Sequence, residues 1–466
     1  MAASKRTSVS NTALADRRPK AESRAWPAAV PSRAELASAF SRALDLAEGR
    51  RPGHAARVSY IALKLAQSLE LPAEHQQATF YAALLHDAGA APASAEVCRL
   101  VNLSEEAVFR AEPERSPQQL ALEIAPSNAA AVVDLLRAHP ERGAQVALEL
   151  GFDRAVQEAI TTHHERWDGQ GYPQALKGAA IPVAARLIAV ADVIESVIST
   201  EPSPLVARRS LLPTIVEHGG GGLDPELVVQ ARALSGDDAF WLGLYSHDLN
   251  RALASSGPEA SWEEERSLEH LHAFASVFAA LADGKGEHTP QHGERTADLA
   301  VRLGEALGFS EGRQEMLRIA GLLHDIGLLG IPARVIAKPD ILSLTEMELM
   351  RKHPSFSQQV LEDVPGLEEV TRWVAAHHER PDGKGYPEML EDETIPLEAR
   401  IISLADTYVA LTSARPYRRA LSHEDAQQVL LGGTGTQLDG KLVKLLCSLA
   451  PEPTSSRTAP RSRRKR

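Results

Sequence analysis

Two adjacent pairs, His324-Asp325 and His377-His378, are the residues of this chain best suited to chemistry, and each has a twin in His86-Asp87 and His163-His164. Neutral imidazole nitrogen and carboxylate oxygen suit Fe, Mn, Ni, Co or Zn, and the lack of thiolate among them disfavours a structural zinc. One carboxylate beside a histidine can bridge two ions while the imidazole binds one of them. A metal pair roughly 3.5–4 Å apart polarises a phosphoryl oxygen, lowers the pKa of a bridging water and stabilises the leaving oxygen. That chemistry hydrolyses a phosphodiester without a protein nucleophile.

The twins belong to an internal repeat. HHERWDGQGYP at 163–173 returns as HHERPDGKGYP at 377–387, LLHDAG at 84–89 as LLHDIG at 322–327, and IPVAARLIAVAD at 181–192 as IPLEARIISLAD at 395–406. The intervals match as well: His54 to His86 and His292 to His324 are both 32 residues, and His139 to His163 and His353 to His377 are both 24. His164 to Asp192 and His378 to Asp406 are both 28. One interval differs: Asp325 to His353 is 28 residues but Asp87 to His139 is 52, which places an insertion at about 91–138. Each half thus carries five histidines and two aspartates in register. A lone histidine on an apolar helix is usually a satisfied core residue, whereas seven such residues repeated at equal spacing call for a shared ligand. Duplication explains the equal spacing and does not require both copies to stay active.

The elements that must position these residues are helices. Val58, Ile61, Ala62, Leu65 and Leu69 form one apolar stripe, and Leu299, Ala300, Leu303 and Leu307 form another. Helix starts are marked by Pro72, by Ser310, and by a capping box over Thr345-Glu-Met-Glu348. His292 and His54 fall on the inward faces of their helices, and Asp406 interrupts an apolar run, where a cation would offset its burial. Gly327 is expected to stop the helix that ends in His324-Asp325. The fold class is therefore all-α, in two tandem units: 34–250, with the insertion, and 262–450, joined by a Ser/Gly/Pro-containing linker at 251–261. Residues 1–33 and the basic stretch 451–466 read as disordered tails.

Composition narrows the function classes. The formal net charge is −12 although both ends are basic, so the body is acidic and a broad nucleic-acid surface is not expected. No apolar run is long enough for a membrane span, and no secretory apolar core follows the N-terminus. Cys98 and Cys447 are the two cysteines, too few for a disulfide framework, and a cytoplasmic location is expected.

The motifs LLHDIG, RKHP, HHERPDGKGYP, ARIISLAD and ARPYR, in this order, resemble the HD-GYP family of the HD phosphohydrolases. The resemblance covers nearly all of 262–450 and, more loosely, 34–250. It implies a helical fold holding two or three metals, iron or manganese foremost, and hydrolysis of cyclic di-GMP by a metal-bridging hydroxide. It further implies that His292, His324, Asp325 and Asp406 hold one metal and Asp325, His353, His377 and His378 the other, with His324-Asp325 at the catalytic centre. The corresponding set in the first half, with room for a further metal pair, is His54, His86, Asp87, His139, His163, His164 and Asp192. His288, one turn before His292, is read as solvent-facing.

The chain departs from this family in two respects that concern the substrate. The family lysine after HDIG is Leu328 here, and Ala90 in the first half. Lys338, Arg380, Lys384 and Arg415 are the candidate replacements for phosphate binding, with Tyr386 on the rim. The first half also lacks the RPYR and AKPD segments. The second half is therefore expected to catalyse, and the first to pack against it or to bind a regulatory ligand. The expected partners are a cyclic dinucleotide and either a second copy of the chain or a signalling protein. Two alternatives stand beside this reading: a scaffold that binds nucleotide or metal without turnover, and a hydrolase of another phosphate ester.

Overall fold

The structure is a computed structural model that describes residues 29–50, 52–90, 96–97, 117–201, 203–218, 221–246, 249, 253, 266–285, 291–414 and 419–449. The first half contributes α1 (Arg33–Glu48), α2 (His54–Ser68), α3 (Ala73–Leu85), α4 (Pro117–Ile124), α5 (Ala129–Glu149), α6 (Arg154–Thr162), α7 (Val183–Thr200), α8 (Pro204–His218), α9 (Pro225–Leu234) and α10 (Asp238–Leu244). The second contributes α11 (Leu268–Lys285), α12 (His292–Ala306), α13 (Glu311–Leu323), α14 (Ala333–Ile336), α15 (Leu344–Met350) and α16 (His353–Leu361). It continues with α17 (Glu368–Ala375), α18 (Leu397–Thr412), α19 (His423–Gly432) and α20 (Gly440–Ser448). Among the described residues only isolated bridges pair like strands, so the all-α expectation holds.

The repeat is visible helix by helix, α1 matching α11, α2 matching α12, and α7 matching α18. The halves share one continuous apolar core. Phe40 of α1 lies 4.8 Å from Phe278 and 6.1 Å from Phe274 of α11, ring centroid to centroid. Arg42 donates to the Val360 carbonyl of α16 at 2.7 Å. The Lys285 ammonium, buried at the end of α11, lies between the carbonyls of Ala47 in the first half and Leu329 in the second. The first half packs against the second, as expected of one of its two suggested roles.

Several boundaries shift. Ser32 caps α1 in a capping box with Glu35, so ordered structure begins inside the segment read as a tail; residues 1–28 and 450–466 lie outside the described residues, as does most of the linker. The capping box of α15 is Ser343 with Glu346, two residues before the one expected, because Ser343 is the residue with extended backbone there. Gly327 does not end α13, which stops at Leu323; it lies in a short 3-10 turn, Ile326–Gly330. Its need for glycine is steric: a Cβ would sit 1.9 Å from the His353 carbonyl oxygen, and one on Gly89 would sit 2.0 Å from that of His139. The missing side chain lets the helix carrying the next histidine lie against the His-Asp pair in both halves.

Candidate metal centre

Each ligand-bearing residue sits at a helix end or on a buried helix face. His54 and His292 are the first residues of α2 and α12, starts that no side chain of their own caps. An aspartate from the preceding helix does so instead: the buried Asp45 accepts from the N–H of Gly53 at 2.7 Å, and the half-buried Asp283 from that of Gly293 at 3.4 Å. His86 and His324 terminate α3 and α13. His163-His164 and His377-His378 follow α6 and α17, and Asp192 and Asp406 lie midway along α7 and α18.

The second half brings its seven residues together. Asp325, His353, His377 and His378 offer ligand atoms within 4.8 Å of one another, and so do His292, His324 and Asp406. Asp325 divides its two oxygens between these groups. Its Oδ2 lies 3.3 Å from His324 Nε2 and 3.9 Å from His292 Nε2, while Oδ1 lies 3.4 Å from His353 Nε2 and 3.8 Å from His377 Nε2. His292 Nε2 is 3.1 Å from Asp406 Oδ1.

The backbone fixes how these rings present themselves. Nδ1 of His324, His353 and His377 each faces the carbonyl three residues earlier, at 2.7, 2.9 and 2.6 Å. A carbonyl can only accept, so Nδ1 carries a hydrogen, and in the neutral rings of His353 and His377 Nε2 is left with its lone pair. His353 Nε2 and His377 Nε2 then face each other at 3.3 Å with no hydrogen to share. Burial foremost holds both imidazoles below the ordinary range, and His378 down at about 4, so all three are neutral near pH 7. For His324 burial acts the same way but is outweighed by Asp325 and Asp406, which raise it to about 9. Burial would push Asp325 up, yet His324, His353 and His377 hold it well below the carboxylate range. Opposed lone pairs around an ionised carboxylate form a cavity for cations, and the donors present fit a divalent metal pair.

A cleft of about 550 Å³ opens over this set. Tyr386 lies on its rim, stacked on His378 at 4.9 Å, with the Arg351 guanidinium 5.6 Å from its ring. Leu328, Val335, Ile336, Leu342 and Met350 form an apolar wall. Of the cations suggested for phosphate, Lys338 lines the cleft but is paired with Glu346 at 2.6 Å. Arg380 turns away to chelate Asp382 at 2.6 and 2.9 Å, and Lys384 is exposed outside the cleft. Those two are not brought to the site, because the loop uses Arg380 to close its own turn. Arg415 lies outside the described residues.

The first half gathers Asp87, His139, His163 and His164 in the same way, within 4.8 Å, and separately His54, His86 and Asp87. Nδ1 of His86, His139 and His163 again donates to the carbonyl three residues back, at 2.8, 2.6 and 2.6 Å. Asp192 Oδ1 lies 3.6 Å from His54 Nε2. Here the space between His54, Asp87 and Asp192 already holds the guanidinium of Arg50.

Reading the sequence alone missed several positioning residues. Glu379 and Glu165, directly after the HH pairs, are buried and clamp the following loop. Glu379 accepts from the N–H groups of Glu388 at 2.6 Å and Leu390 at 2.9 Å, and Glu165 from those of Gln174 and Leu176 at the same two distances. Their repetition in HHER was the available signal. Arg50 and Glu48 left none, since neither has a counterpart in the second half.

The HD domain profile matches residues 116–227 and 276–442. The chain is 30% identical over 427 residues to the 3'3'-cGAMP-specific phosphodiesterase 3 of Vibrio cholerae, covering 87% of this chain and 92% of that one. It is 37% identical over 185 residues to the cyclic di-GMP phosphodiesterase response regulator RpfG of Xanthomonas campestris, covering 39% of this chain and 48% of that one. A crystal structure of a cyclic GMP-AMP-specific phosphodiesterase of V. cholerae superposes with a TM-score of 0.65 at 27% identity, over 91% of this chain and 99% of that chain.

Proposed function

Since the chain belongs to the HD-domain family, in its HD-GYP branch, we propose that it is a cyclic-dinucleotide phosphodiesterase whose second half carries out the hydrolysis. The observation that carries the assignment to the second half is the opposed Nε2 pair of His353 and His377 beside Asp325, beneath an open cleft. When bound there, a pair of divalent ions, iron or manganese, supplies Lewis-acid polarisation of the phosphodiester and acidifies a water. His292, His324, Asp325 and Asp406 would hold one ion and Asp325, His353, His377 and His378 the other.

The remaining work falls to the chain's own groups. Asp325 sets the register between the two ligand groups through its divided oxygens. Tyr386, whose phenol is pushed up by burial and by Asp325, stays neutral and keeps a hydrogen to donate toward substrate at the rim. The apolar wall around Leu328 excludes water and offers a surface for a nucleobase, while Lys338 is the cation that lines the cleft among the described residues. Glu379 holds the loop that carries Tyr386.

The sequence expectation named cyclic di-GMP. The relatives that match the tandem arrangement over most of its length are named for 3'3'-cGAMP, which supports that substrate over cyclic di-GMP for this chain. Initial rates on both dinucleotides with manganese-loaded protein decide the matter. A higher kcat/KM on 3'3'-cGAMP is expected, a preference for cyclic di-GMP would reverse the choice, and hydrolysis of neither would remove the assignment.

A further inference from the structure

Arg50 is held from all sides. Its Nε lies 2.6 Å from Glu48 Oε2, its Nη2 3.2 Å from Asp87 Oδ2, and its Nη1 2.8 Å from His54 Nε2 and 3.9 Å from Asp192 Oδ1. His54 is locked to receive it: His54 Nδ1 donates to Glu195 Oε2 at 2.6 Å, so Nε2 presents a lone pair to the guanidinium. Glu195 is in turn gripped by Arg57 at 2.7 and 2.9 Å. An arginine cannot shed its proton in a protein, so a permanent positive charge sits among His54, Asp87 and Asp192.

At matching positions the second half carries His288 for Arg50, Gly286 for Glu48 and Val409 for Glu195, of which His288 and Gly286 lie outside the described residues. In the other ligand group of the first half Arg50 contacts Asp87 through Oδ2, while Oδ1 of Asp87 faces His139 and His163 at 3.8 Å each. His163 is 4% exposed, and its Nε2 has no hydrogen-bond partner while lying 3.8 Å from Asp87 Oδ1. Arg50 and Arg57 already offset carboxylate charge in this group, and the Arg50 guanidinium fills the space among His54, Asp87 and Asp192.

We propose that the first half binds a single divalent transition-metal ion, through Asp87, His139, His163 and His164, and that the Arg50 guanidinium permanently takes the place of a second. A mononuclear centre lacks the metal pair that phosphodiester hydrolysis uses in the proposal above, on which this inference rests for its contrast. The first half is then a cation-holding module without turnover.

The test counts manganese in the full chain. Asp87→Ala is expected to lose one ion relative to wild type and Arg50→Ala to gain one, with Arg50→Lys unchanged. Loss of two ions or of none in Asp87→Ala, or no gain in Arg50→Ala, would overturn the proposal. If a variant fails to fold, anomalous scattering from manganese-loaded wild-type crystals decides instead. One peak among Asp87, His139, His163 and His164 with none beside His54 is expected, and two peaks or an empty first half would refute it. Turnover by the wild type is read separately, so failure of the phosphodiesterase assignment leaves these counts interpretable.

Discussion

The two halves present the same histidines from the same helix ends, yet differ in what stands over the aspartate at their centre. The Asp325 side chain is 20% exposed at the floor of a cleft, whereas that of Asp87 is 9% exposed beneath Arg50. The difference does not come from the ligands, which are all retained. It comes from residues that a ligand count overlooks: an arginine and a glutamate just before α2, and the α14–α15 segment that walls the second cleft. Keeping a ligand set preserves a place for cations; a catalytic site also needs vacancy for the second cation and a wall for the substrate.

The largest expected contrast is in turnover. Asp325→Ala should abolish hydrolysis, a loss beyond the roughly 10²–10³ that one electrostatic donor is worth, while Asp87→Ala leaves kcat within a few-fold of wild type. Equal losses in steady-state rates would make the halves catalytic equals and break the comparison. Glu379→Gln and Glu165→Gln sharpen it. Each leaves a buried loop N–H without a full acceptor and should cost about 1–3 kcal/mol in a denaturant melt, but only Glu379→Gln should lower kcat/KM. If both or neither did so, the loop would not be serving one site.

A smaller effect is expected at the cleft wall. Leu328→Lys places a cation beside the phosphate path and should raise kcat/KM by about tenfold, equivalent to roughly 1.4 kcal/mol; Ala90→Lys should not. A fall in rate with Leu328→Lys would instead assign the apolar wall to base recognition. The smallest concerns the Lys338–Glu346 pair. The hydrogen bond from Lys338 holds the Glu346 carboxyl at about 2, below its ordinary 4.5. The pair's contribution is therefore complete above the ordinary value and is lost as pH falls through about 2. A carboxyl titration of Glu346 by NMR with a midpoint near 4.5 would show that the pair does not persist in solution.

Much of this was legible in the chain. Equal intervals between histidines gave the two ligand sets, because a duplicated fold preserves spacing wherever a helix end must meet a common point. The helical class followed from stripes such as Val58, Ile61 and Leu65, all fully buried. What could not be read were contacts made by long side chains across unrelated segments. Arg380 and Lys384 looked suited to phosphate by type and position, but a two-residue turn claims Arg380 for Asp382 and points Lys384 to solvent. Arg50 carried no signal in the sequence, because only the fold sets it within reach of His54 and Asp87. Gly327 was read for its backbone freedom, whereas its importance lies in what a neighbouring helix needs to approach.

The Lys285 ammonium, sealed between a carbonyl from each half, bears on how this chain evolves. On the proposal above the first half has no turnover of its own, and such a module would ordinarily be free to disappear by deletion. Here its removal would take one of the carbonyls from a sealed cation and bare the Phe274 and Phe278 faces to water. Shared burial thus makes the quieter half indispensable to its neighbour, whatever it binds.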